Sequence, residues 1–485
     1  MKKYILIIST LFLTLTGNSC SERDLELFPP YLDEISNINT ETQLQQLLNG
    51  AYLTTSSASA YGTEIMLFGD LMSDHMFVSN TNGSYLNTYN FNFNSTQNEF
   101  SFYGTLYNAI VKCNLAINNT TVANNNNVSR IKGEAKILRA LAYFTLVNYY
   151  SPTPTSGVNQ DYGVPLVLSD YDVNIQPARA TVAQVYDQII SDLKAGILQA
   201  EAMPSKKVIL SQTAAKLLLS RVYLTRRAPG DAALALQYAT DVVDNSPALG
   251  FSPVAASGYN SYFSANSDEA SEDQSETIWE LDLNIDTNRY TGIGSNIALP
   301  AYYSRTDSRK CMLFNQSFYN SFASTDVRRG SATTGLLIST GVPTTDTPRG
   351  YWTNKYPRFT SGGNYFRNIK VLRFAEAQLN QIEALHLTGQ NALALTKLNA
   401  FSASRNGSVY TGTNLLDDIL TERGKEFYAE GQRFLDLKRY NLPVVRVSNC
   451  TMNCNVPASD KLFVLPISKA ALNTNENLKQ YPGYN

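Results

Sequence analysis

Residues 421–440 read TERGKEFYAEGQRFLDLKRY. Extended back to Leu416, the stretch carries a series at every third or fourth position: Leu416, Leu420, Arg423, Phe427, Glu430, Phe434, Leu437. That spacing is the buried stripe of a helix. Two members, Arg423 and Glu430, are charged and flank Phe427. A charge in a buried stripe is costly unless it is paired and hydrogen-bonded. Both are therefore expected in structural ion pairs, with each other across two turns or with groups on another element. Glu422, Glu426 and Glu430 also fall one turn apart, as paired acid/base carboxylates would. Arg423, Lys425 and Arg433 supply counter-charges, so an ion-paired helix that locks packing is the preferred reading.

The rest of the composition argues against catalysis. The chain has 485 residues, enough for a large core, with 43% hydrophobic and only 16% charged residues. Its polarity comes instead from Asn, Ser, Thr and Tyr. A net charge of −2 gives no basic footprint for nucleic acid. The only histidines are His75 and His386, which weakens most hydrolase readings while leaving carboxylate-only glycosidases open. There is no nucleophile elbow, phosphate-binding glycine loop or metal-ligand cluster. No cofactor or metal is expected. The other carboxylate pair, Asp70 and Asp74, is explained by packing or capping.

The N-terminus reads as an export signal. Lys2 and Lys3 precede an apolar run over residues 4–15, too short to span a bilayer. A small-residue run then leads to Cys20. The expected layout is a signal peptide over 1–19, a tether over 20–40 stiffened by Pro29 and Pro30, and one domain over 41–485. Export permits disulfides. Cys450 and Cys454 are close enough in sequence to bridge, and Cys113 and Cys311 read as buried thiols.

Helices are expected at 41–55, 100–118, 131–150 and 182–200, the last capped by Thr181. The 137–147 segment is apolar nearly all round, so its helix should be buried on most sides. Two helical pairs, 212–227 with 231–245 and 369–387 with 392–402, are spaced like tetratricopeptide repeats. More than one hundred residues separate them, so they must meet in space to share a scaffold. The insertion between them, 246–368, is irregular, with a short strand at Trp279, Glu280 and Leu281. The expected fold is mainly α: a tetratricopeptide-like helical-hairpin scaffold with a large loop-rich ligand-binding portion and few short strands. Residues 68–98 and the insertion are dense in Asn, Ser, Thr and aromatic rings, the chemistry of a ligand platform. Tyr85, Tyr89, Phe91, Tyr302, Tyr303, Arg305 and Trp352 are the expected ligand contacts.

Five strings in order resemble the SusD/RagB family. They are GEAKILRALAYFTLVNYY at 133–150 with GVPLV at 163–167; RATVAQVYDQIISDL at 179–193; TNKYPR at 353–358; the opening helix, E-R-x-x-E-F-x-x-E-G-x-R-F-x-D-L-K-R; and the tail from Phe463 to Tyr484. The tail departs from the family pattern at Ser468, where a second Pro is usual, and at Tyr481, where Asn is usual. The resemblance implies a surface lipoprotein of the outer membrane, lipidated at Cys20, although Gly17 and Ser19 fit the usual lipobox loosely. It also implies a binding protein rather than an enzyme. Such a protein serves as the lid of a SusC-like TonB-dependent transporter and holds an oligosaccharide, or a peptide as RagB does. A surface glycosidase acting through Glu280 or Asp74 is the third reading.

Overall fold

A computed structural model describes residues 38–79, 83–170, 172, 174–265, 270–283, 298–304, 310–340, 349–358 and 367–484. Cys20, the proposed leader and most of the tether lie outside them, as does Arg305.

The described chain is mainly helical with four two-stranded sheets. Its frame is a row of paired helices: α1 (Glu41–Thr55), α2 (Glu64–Leu71), α3 (Leu86–Tyr89), α4 (Phe102–Asn118), α5 (Asn126–Tyr150), α6 (Val182–Gln199), α7 (Gln212–Arg226) and α8 (Asp231–Asn245). Helix α1 packs on α4, α4 on α5, α5 on α6, α6 on α7 and α7 on α8. Local chemistry starts these helices. Thr40 with Gln43 and Thr181 with Gln184 form reciprocal capping boxes at α1 and α6. Helix α5 begins five residues before its apolar period, because Asn125 caps the backbone N–H of Val128. Residues 137–147 are buried on every side, as their all-round apolarity predicts. Arg139, inside that helix, donates to both oxygens of Asp192 on α6 and to Asn114 on α4.

The insertion contributes α9 (Tyr259–Ser264), β2 (Thr277–Leu281), α10 (Leu299–Tyr303), β3 (Met312–Phe314), α11 (Gln316–Asn320), β4 (Leu337–Ile338) and β5 (Trp352–Thr353). Strand β3 pairs with β1 (Met76–Val78), and β4 with β5, all antiparallel. After the insertion come β6 (Ile369–Arg373), α12 (Phe374–Leu387), α13 (Asn391–Ala403), α14 (Leu415–Phe427) and α15 (Arg433–Arg439). The short pair β7 (Val444–Val445) and β8 (Asn455–Val456) follows, then α16 (Lys469–Thr474). The second hairpin, α12–α13, docks onto the first through α8. Asn380 donates to Ser220 and Gln381 to Thr240, both at 2.9 Å, so the two hairpins do share one scaffold.

Two helical expectations are corrected. Residues 369–373 form a strand rather than the start of a helix. Ile369 to Arg373 pair with β2, and all five are buried, so the sheet partner overrides local periodicity. The opening stretch is two helices, not one. It breaks at residues 428–432, where Ala429 (φ 61°) and Gly431 (φ 71°) are left-handed. Both N–H groups there point at the Asp70 carboxylate, 3.2 and 2.8 Å away. Gly69 lies so close that a Cβ on it would sit 1.8 Å from the Gly431 carbonyl oxygen. A continuous helix cannot accommodate that contact.

Candidate functional site

The three glutamates of the opening stretch are buried. Arg328 donates to Asp326 and to Glu422 (2.7 Å) and Glu426 (3.2 Å). Arg373 reaches Glu276 (3.2 Å), Glu426 (2.9 Å) and Glu430 (2.8 Å). Arg405 and Lys355 complete the cluster, on Glu426 and Glu430 respectively. Burial raises the Glu426 carboxyl, but Arg405, Arg373 and Arg328 outweigh it and hold the group well below the usual carboxylate range. Arg423 and Glu430 are both buried and ion-paired, but not with each other. Arg423 donates to Asp436 at 2.9 Å and Asn380 at 2.9 Å, because the break before Glu430 turns its carboxylate toward Arg373 and Lys355. These carboxylates are committed to packing.

The other candidate acids also accept hydrogen bonds. Asp70 is buried against the 428–432 turn, and burial lifts its carboxyl to about 7 while the Gly431 and Ala429 N–H groups oppose the rise. Asp74 accepts two hydrogen bonds from Arg433, each 2.8 Å. Glu280 is buried, and its Oε1 accepts from the Asp273 N–H and the Asn368 amide, both at 3.0 Å, while its Oε2 has no hydrogen-bond partner among the described residues. Among the described residues, no group of three His, Cys, Asp or Glu is placed to hold a metal. A partly open pocket of about 60 Å³, lined in part by Tyr149, Arg423 and Asp436, has room for little more than a few waters.

The surface with binding chemistry is built from two segments distant in sequence, 83–94 and 444–456. Arg446 joins them. Its guanidinium is buried and donates to the carbonyls of Ser73 (2.8 Å), Leu71 (2.7 Å) and Tyr89. It also lies over the rings of Tyr89 (4.1 Å) and Phe91 (4.9 Å). Burial lowers its pKa to about 10, partly countered by Tyr89 and Asp74. The Tyr89 hydroxyl donates to the Asn449 carbonyl at 2.9 Å, and the Asn453 amide donates to the Asn90 carbonyl at 2.8 Å. Cys450 and Cys454 are joined in a disulfide that closes the loop between β7 and β8. The resulting face exposes Asn87, Asn92, Asn94 and Asn453, whose amides also bond to one another or to nearby backbone, together with Val447 and Met452. Neutral amides beside apolar side chains suit an uncharged polar ligand.

The expected contact residues divide. Tyr85 keeps exposed surface; its ring meets Phe68 (5.9 Å) and Tyr302 (5.5 Å) edge-on. Tyr89, Phe91, Tyr302, Tyr303 and Trp352 are each no more than 6% exposed and underlie the surface rather than offer a ring to it. Tyr303, for example, is stacked between Phe314 and Tyr356. Sequence reasoning singled out Trp352, but side chains alternate along a strand, and its neighbour Tyr351 is the half-exposed one. Tyr351 stacks on Tyr319 at 3.8 Å, with Arg329 over the Tyr319 ring at 4.5 Å. Arg446 is not among the residues the sequence singles out. In V-V-R-V-S an arginine reads as an exposed strand residue, and nothing local marks it as the anchor.

A family model described as "Starch-binding associating with outer membrane" matches residues 25–224, and one described as "SusD family" matches residues 337–484. Among solved structures, a protein from Bacteroides vulgatus described as a candidate sugar-binding protein is 28% identical. That match covers 92% of this chain and 99% of the other, with a TM-score of 0.80. A SusD superfamily protein from Bacteroides thetaiotaomicron is 26% identical over 91% of this chain and 100% of the other, also at 0.80. The surface glycan-binding protein A of Bacteroides uniformis shares the fold, at 21% identity over 90% of this chain and 99% of the other, with a TM-score of 0.72. No curated protein matches the chain.

Proposed function

The chain belongs to the SusD/RagB family, and from that premise we propose that it is a cell-surface lipoprotein that captures oligosaccharides. It acts as the lid of a SusC-like TonB-dependent transporter of the outer membrane. A signal peptide over 1–19 is removed, a lipid on Cys20 anchors the protein, and residues 20–40 tether the domain that follows. The observation that carries the reading is the 83–94/444–456 face. It presents exposed asparagines and apolar side chains, and the candidate sugar-binding relative shares both fold and sequence with this chain. Tyr85, the exposed amides around it and Arg305 contact the ligand on this reading. The buried, ion-paired state of Glu422, Glu426 and Glu430 supports binding rather than hydrolysis.

The experiment is to purify the protein with its outer-membrane partner and identify by mass spectrometry what accompanies it. The expected result is a TonB-dependent barrel and unhydrolysed oligosaccharide, with Cys20→Ser releasing the protein from the membrane. Recovery of peptides instead would replace the ligand class with a RagB-like one. Cleaved glycan, with cleavage lost in Glu280→Gln, would establish an enzyme.

A further inference from the structure

A second concave surface lies where the loop after α5 meets the C-terminal segment, with Pro443 and Pro457 lining it where the chain enters β7 and leaves β8. Its volume is about 520 Å³, within the roughly 300–1,000 Å³ of small-ligand sites. The walls are cross-tied. The Thr155 hydroxyl donates to the Arg439 carbonyl at 3.2 Å, and the Asn441 amide donates to Thr155 Oγ1 at 3.2 Å. On the far side the Asn159 amide donates to the Tyr481 hydroxyl at 3.1 Å. Bracing of this kind makes the groove preformed, which reduces the ordering cost of binding.

The charge on the lining is nearly all spent. Lys438, at the floor, is 4% exposed and donates to the carbonyls of Asn148 (2.6 Å), Ser151 (2.8 Å) and Phe463 (2.6 Å). Those three bonds use every ammonium proton. Besides Lys438 and the Tyr481 phenol, the ionisable lining residue is Asp460. Its Oδ1 accepts from the Leu462 N–H, while Oδ2 and the neighbouring Ser459 hydroxyl carry no hydrogen bond among the described residues. The neighbouring Lys461 ammonium turns to the Gly483 carbonyl and the Tyr484 ring and is not among the lining residues, so the lining offers a carboxylate oxygen that accepts well from hydroxyl groups. Around this polar edge stand the exposed rings of Pro443 and Pro457 and the Val158 side chain, 57% exposed. Exposed apolar groups beside hydroxyl and carboxylate acceptors suit a pyranose, which has an apolar C–H face and a hydroxylated rim.

We propose that this groove is a second binding site of the chain, for a neutral oligosaccharide. The inference rests on the glycan-binding reading above. It adds a separate site, on the α5 and C-terminal side, that engages the chain through Asp460, Ser459 and the proline rings.

The test is hydroxyl-radical footprinting of the purified full-length chain, with maltoheptaose, xylohexaose and mannohexaose as neutral probes and decaproline as the peptide probe. A binding oligosaccharide should protect peptides spanning 152–158 and 457–460. Ser459→Trp, which fills the groove from an exposed position, should remove that protection, weaken binding there about tenfold and leave the melting temperature unchanged. Protection confined to 83–94 and 446–456, indifferent to Ser459→Trp, overturns this inference and leaves the proposed function standing. Protection of the groove by decaproline but by no sugar overturns the ligand class. No protection anywhere by any of the three sugars counts against both this inference and the oligosaccharide reading.

Discussion

Two regions of this molecule bury cations by opposite means. In the seam around α14, guanidinium groups meet carboxylates: Arg328 and Arg373 each contact three acids. At the loop face and the groove, Arg446 and Lys438 meet backbone carbonyls instead. The electrostatic results diverge. Burial disfavours all four charges, yet the glutamates raise Arg373 well above its ordinary pKa, whereas burial lowers Lys438 to about 7. A carboxylate seam fixes side chains of elements already packed together. A carbonyl-bound cation fixes backbone to backbone, and so can hold irregular segments that have no shared secondary structure.

The contrast can be broken at three points. The largest effect is expected in the seam. Glu430→Ala leaves Lys355 and Arg373 short of a partner in a buried site and should cost about 3–5 kcal/mol in urea unfolding. A Glu430→Ala protein as stable as its parent would show that the seam is not what locks the helices. Next is Arg446→Met, which strands the carbonyls of Leu71, Ser73 and Tyr89. Hydrogen bonds to a charged group are worth about 1.5–3 kcal/mol. The loss should be local, with faster amide exchange over 83–93 and 446–456 and no change in α7 and α8. Equal acceleration everywhere would refute the view that this arginine serves the loop face alone.

The smallest effect concerns His75, which packs against the seam. Its ring stacks on Phe318 at 4.2 Å and touches Gly424, and its Nδ1 has no hydrogen-bond partner among the described residues. Burial, assisted by Arg433 and opposed by Asp74 and Asp436, lowers its pKa from 6.5 to about 3. The unfolded chain binds a proton below pH 6.5 that the folded chain refuses until about pH 3. Stability is therefore fully present above pH 6.5 and declines as pH falls through that window. His75→Gln should flatten the decline between pH 6.5 and 5 in thermal melts. An unchanged slope would mean that the seam carboxylates alone set acid stability.

Much of the scaffold was legible because its signals are local. The 3.6-residue period and the Thr181 cap act within a few residues, and they held wherever no distant partner competed; at 369–373 and 428–432 one did. The candidate site was legible only in part. The sequence marks residues 83–94 as rich in rings and amides, and Tyr85 does keep exposed surface. It does not mark which of Tyr351 and Trp352 faces outward, since that depends on the strand to which β5 pairs.

Sequence alone determined the mainly helical scaffold, the identity of the signature helix as a structural element and the need to pair its charges. Each follows from periodicity and from the cost of burying an ion. Tertiary structure decided which charges pair, where the signature helix breaks and which segments form the exposed face. Asp70, 361 residues before Gly431, draws the Ala429 and Gly431 N–H groups out of the helix, and Gly69 admits the turn. Partners that far apart leave no periodic trace in the chain, because hydrogen bonding and close packing depend on distance in space rather than in sequence.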